Sequence, residues 1–156
     1  METNKEKVSV FISGNRDLSE KDFITYYLPY LHELISNDNV IFNISDDEGC
    51  SEFCQVYLNK VLTDKSRVTI FGMGENPTHY LSEEFLYFGN FTTLEERNAA
   101  MTACSGIDLH IILDGKGTSE VQKNLIRRFS PKYDYMKYLN GGNLNFWGTL
   151  LTIEQE

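Results

Sequence analysis

The strongest constraint on this chain is an apolar run that stops at a glycine and passes into a polar turn and a helix. Val8 to Ser13, VSVFIS, is mostly apolar without clean alternation. That pattern fits a strand buried on both faces, as in a parallel sheet. Gly14 allows a sharp turn, and Asn15-Arg16-Asp17 is polar. Ser19 with Asp22 resembles a capping box, and Phe23, Tyr27, Leu31 and Leu34 then recur at helical spacing. Pro29 inside this stripe is expected to kink or restart the helix, because it lacks an N–H and clashes with the preceding turn.

The same unit recurs. Short strands are expected at Val40–Ile44, Val68–Phe71 and Ile107–Leu113, and helices at Ser51–Leu62, after Thr93, and at Ser119–Arg128. A final strand is placed within Phe146–Ile153, and Glu75–Thr93 reads as one long aromatic-rich connection. Strands alternating with helices at this spacing predict an α/β fold. The expected form is Rossmann-like and doubly wound, with a mostly parallel sheet and helices on both faces. The 156 residues are read as a single domain, with its core at about 8–128 and a divergent C-terminal extension at 130–156.

In such sheets ligands bind outside the carboxyl ends of the strands. Four loops are therefore expected to converge. The first offers Gly14, Asn15, Arg16 and Asp17, with Arg16 able to hold a phosphate or carboxylate bidentately, or else to pair with Asp17. The second, Ser45-Asp46-Asp47-Glu48-Gly49, could offer oxygen ligands to a divalent metal, though without the spacing of a calcium loop, could make sugar contacts, or could be simply solvated charges at a helix start. The third begins at Gly72. The fourth, Asp114-Gly115-Lys116-Gly117-Thr118, precedes a helix N-terminus that could take an anion or be only a turn.

Composition excludes some classes. Lys and Arg number 14 against 23 Asp and Glu, a net charge of −9, which argues against a broad nucleic-acid or anionic-membrane surface. No apolar run is long enough to span a bilayer, and the polar start METNKEK carries no signal-peptide core. Cys50, Cys54 and Cys104 form no disulfide framework, which points to reduced thiols in a cytoplasmic protein. Cys50 and Cys54 lie one helical turn apart, but no second pair completes a zinc site, so no metal and no cofactor are expected. His32 and His110 read as structural, and no Ser/His/Asp arrangement is legible.

Several motifs stand in order. They are Ser13-Gly14-Asn15-Arg16-Asp17, Tyr26-Tyr27-Leu28-Pro29, Ser45 to Ser51, Arg97-Asn98-Ala99-Ala100-Met101-Thr102, and Ser119 to Arg128. Together they resemble the SLOG superfamily of Rossmann-like nucleotide-sensing proteins, related to the LOG and nucleoside deoxyribosyltransferase groups, and within it a bacterial and phage subgroup. Asn15 stands where that subgroup has histidine, Ser45 and Ser51 where it has glycine and aspartate, and Asn98 where it has aspartate. Without a gap, Glu120 and Val121 fall on the family's Gly-Thr; with a short gap, Gly117-Thr118 take that place.

The resemblance implies binding or sensing of a nucleotide-derived or nucleoside-like small molecule. The ligand residues would be Gly14, Asn15, Arg16, Asp17, Asp46, Asp47, Gly49, Gly72, Arg97, Gly115, Gly117 and Thr118. The related enzymes imply an alternative, N-glycosidic bond cleavage with Glu120 as the catalytic carboxylate. A third reading is a non-catalytic homo-oligomer formed through the aromatic stretch Tyr80–Phe91.

Overall fold

A computed structural model describes residues 7–113, 123, 124, 127 and 151–153. In chain order it has β1 (Val8–Ser13), α1 (Glu20–Asp22), a π-helical turn (Phe23–Tyr27), α2 (Leu28–Ile35), β2 (Val40–Ser45) and α3 (Cys50–Val61). There follow a short 3-10 turn (Lys65–Arg67), β3 (Val68–Phe71), β4 (Leu86–Phe88), α4 (Leu94–Ala103), β5 (Ile107–Leu113) and β6 (Leu151–Ile153). The strands line up in the order β4-β3-β2-β1-β5-β6, and every neighbouring pair is parallel. This is the expected Rossmann-like α/β sheet.

β1 lies at the centre of the order. The chain lays β2, β3 and β4 to one side of it, then returns to lay β5 on the other. The order of connection therefore reverses between β1 and β5, the topological switch point where open α/β sheets form a crevice. The mostly apolar run of β1 has the expected cause. Val10 and Ile12 join a core with Phe42, Ile44, Val68, Ile70, Tyr27, Leu31, Cys54 and Leu58. Phe11, which alternation turns the other way, clusters instead with Phe71 and with Met101 of α4.

Pro29 is accommodated by a wider turn. The π-helical turn at Phe23–Tyr27 ends just before α2, so the proline falls in that helix's first turn, where its missing N–H costs little. The turn also places Tyr27, which is fully buried. Its hydroxyl donates to the Ser13 carbonyl at 2.7 Å and accepts the Ile111 N–H at 3.3 Å. One phenol thus bridges β1 and β5 where their own pairing ends at Ser13 and His110. Burial, followed by the neighbouring Cys50, pushes its hydroxyl pKa well up.

The stretch after β3 departs from a plain connection, because it contains β4. Three residues with Leu86 and Phe88 exposed show no inward alternation to read. The remaining aromatics cover the sheet edge. Phe85 is buried, Tyr80 and Tyr87 pack on the main core, and Phe88 and Phe91 stack with Phe71. Lys123, Asn124 and Arg127 are helical, in keeping with the helix expected there.

No described helix is long and apolar enough to cross a membrane.

Candidate functional site

Because all strands run the same way, Ser13, Ser45 and Phe71 end at one edge of the sheet, and the loops after them meet there. Asp47, in the loop after β2, is the hub. Its carboxylate takes Arg97 Nη1 at 3.0 Å and Nη2 at 2.7 Å, a two-pronged pair. Arg16, from the loop after β1, reaches Asp47 Oδ1 at 3.0 Å, and Ser45 Oγ donates to Oδ2 at 2.8 Å. The Ser45 hydroxyl also lies 2.8 Å from that of Ser51 in α3. Burial alone would push the Asp47 carboxyl up. The hydrogen bonds and charge of Arg97, with help from Ser45 and Arg16, outweigh it and hold the pKa below its ordinary value.

Arg97 is delivered by α4. Thr93 caps that helix by accepting the Glu96 N–H at 3.1 Å, and Glu96 reaches back to the Thr92 N–H at 3.0 Å. The Arg97 side chain is 3% exposed and also pairs with Asp46 at 3.5 Å and donates to Asn98 Oδ1. It therefore orders the loop after β2 from beneath. Arg16 differs: its side chain is 50% exposed. Two arginines and two aspartates close a locally neutral cluster in which Arg16 is the group most open to solvent.

Asp46 is spent on the fold. Its Oδ2 accepts the Thr78 N–H at 2.9 Å, and its backbone carbonyl faces His79 Nδ1 at 2.9 Å. Asp46, one of the two aspartates of the loop expected to offer sugar contacts, thus fastens the long loop after β3. The glycines are also consumed internally. Gly49 has φ +75°, and a Cβ there would strike the Arg16 carbonyl. A Cβ on Gly14 would lie 2.5 Å from Cys50 Sγ and 2.7 Å from the Tyr27 hydroxyl. At Gly72 it would meet the Tyr87 hydroxyl and Asp46 Oδ2. These glycines let loops pack on one another.

Asn15 is buried in the same turn, its carbonyl accepting the N–H groups of Leu18 and Cys50. Asp17 is exposed beside it. Gly115, Gly117, Thr118 and Glu120 lie outside the described residues. Arg16, Asp46, Asp47, Gly49, Gly72 and Arg97 are therefore brought together, with Gly14 and Asn15 alongside.

Two arrangements went unread in the sequence. Ser13 Oγ lies 2.7 Å from His110 Nδ1, and His110 Nε2 lies 3.6 Å from Asp108 Oδ1. The trace of this was two polar residues alternating in IDLHIIL, which puts both on one face of β5. The imidazole is 1% exposed and rests on Phe11 edge to face, which makes it part of the sheet's interior. The second is Gln55, 2% exposed, whose amide donates to His79 O and accepts from Leu81 N, both at 2.9 Å. A lone glutamine on an amphipathic helix gives no signal for such a clamp.

No family model, no curated protein and no solved structure matches this chain. Among the described residues no group of three or more His, Cys, Asp or Glu side chains is disposed to hold a metal ion.

Proposed function

We propose that the carboxyl edge of the sheet binds a nucleotide-derived or nucleoside-like small molecule, with Arg16 as its anion contact. The observation that carries this is the joining of Arg16, Asp47 and Arg97, from three separate segments, in one cluster beside the switch point of an open parallel sheet. A ligand anion would draw the half-exposed Arg16 away from Asp47. That would free acceptor capacity on Asp47 Oδ1 for a sugar hydroxyl, while Arg97 keeps the carboxylate in place. A thermal-shift panel of NAD, ADP-ribose, cyclic nucleotides and nucleosides tests it. At least one compound should raise the melting temperature of the wild type and not of Arg16→Ala. A flat response across the panel rejects the reading. Glycosidic cleavage would rest on Glu120, outside the described residues, and ranks below binding.

A second reading, homo-oligomerisation, draws on a different feature. Among the described strands β4 lies at one end of the sheet, and it carries Leu86 and Phe88 at 52% and 53% exposure. Light scattering on the wild type and on Phe88→Asp separates the outcomes. An interface role gives a smaller folded species, and a covering role gives loss of folding.

A further inference from the structure

We propose that a second site, a cleft between α3 and the loop after β3, binds a small apolar ammonium compound. It is lined by Glu52, Gln55, Val56, His79, Tyr80 and Leu81, and its volume is about 190 Å³. A cavity of about 150 Å³ holds benzene, so this is room for one small ring compound. None of these six residues belongs to the Arg16, Asp47 and Arg97 cluster.

The walls are fixed in advance. Gln55 clamps the loop at His79 and Leu81, and Asp46 holds it at Thr78 and His79. The bond from His79 also sets its tautomer. The Asp46 carbonyl can only accept, so Nδ1 carries the proton, and in the neutral ring Nε2 presents a lone pair. Glu52 uses Oε1 on the Gly49 N–H at 3.3 Å, which leaves its second oxygen as an anionic acceptor. None of these six described residues is Lys or Arg.

The rim is apolar. Val56 and Leu81 are 44% and 50% exposed, so their side chains present hydrocarbon at the mouth of the cleft. Acceptors without a cation call for a donor, the carboxylate calls for a positive one, and the rim calls for a hydrocarbon body. A compact ammonium meets all three requirements.

The probe is benzylammonium, titrated calorimetrically into the full chain at pH 8. Benzyl alcohol and benzoate are the controls. Saturable binding at least tenfold tighter than either control is expected. Glu52→Gln keeps the oxygen that caps Gly49 and should reduce affinity to that of the alcohol. His79→Asn keeps a donor for the Asp46 carbonyl, removes the Nε2 acceptor, and should weaken binding severalfold. Methyl NMR shifts on binding should centre on Val56 and Leu81. Equal affinity for ammonium and alcohol, unchanged affinity in Glu52→Gln, or shifts centred elsewhere would overturn the proposal.

Discussion

The carboxyl edge and the α3 cleft lie on either side of Asp46 and use polar groups in opposite ways. At the edge the ionic groups already bond one another: Asp47 is shared by two arginines and a serine, and Arg97 by two aspartates and Asn98. In the cleft, buried polar atoms fix the walls, and the acceptors of Glu52 and His79 point to a donor from outside. The edge can bind only by exchanging an internal bond for a ligand bond. The cleft binds by adding one. Edge residues should therefore divide sharply into those that stabilise the fold and those that read a ligand.

Arg97→Met is the largest expected break. It leaves Asp46 and Asp47 facing each other without their buried partner, and should cost about 3–5 kcal/mol in urea unfolding. A loss below about 1 kcal/mol would mean the pair is not structural. Gly49→Ala comes next. A side chain at positive φ against the Arg16 carbonyl should cost about 2 kcal/mol and displace Arg16. Thr93→Ala removes the cap of the helix that delivers Arg97, an expected cost of about 1 kcal/mol. Arg16→Ala should change stability least, by about 0.5 kcal/mol or less, since the pair is half exposed.

Acid offers a mutation-free check on the same contrast. The folded-state pKa of Asp47 lies below its unfolded value, so its contribution is present above about pH 4 and is lost as pH falls through the folded value. Stability measured by denaturant titration should decline over that window in the wild type and decline less in Arg97→Met. An equal slope in both would place the coupling elsewhere.

The fold was more legible in sequence than the site. β1, β3 and β5 were readable because buried parallel strands are mostly apolar runs ended by turns. β4 was not, because its three residues pair through backbone while Leu86 and Phe88 stay exposed. Arg16 and Asp47 could be named from loop position and residue chemistry. That Asp46 would fasten a loop, and that Gly14, Gly49 and Gly72 would yield their space to Cys50, Arg16, Tyr87 and Asp46, could not. A glycine marks close approach without saying what approaches, and a carboxylate does not reveal whether its donor comes from the chain or a ligand.

The most direct measurement is calorimetric titration of the panel compound giving the largest thermal shift into wild type, Arg16→Ala and Glu52→Gln. Binding at the carboxyl edge requires at least a tenfold loss in Arg16→Ala, with wild-type affinity retained in Glu52→Gln. Unchanged affinity in Arg16→Ala, or loss confined to Glu52→Gln, would contradict the assignment of the ligand to that edge.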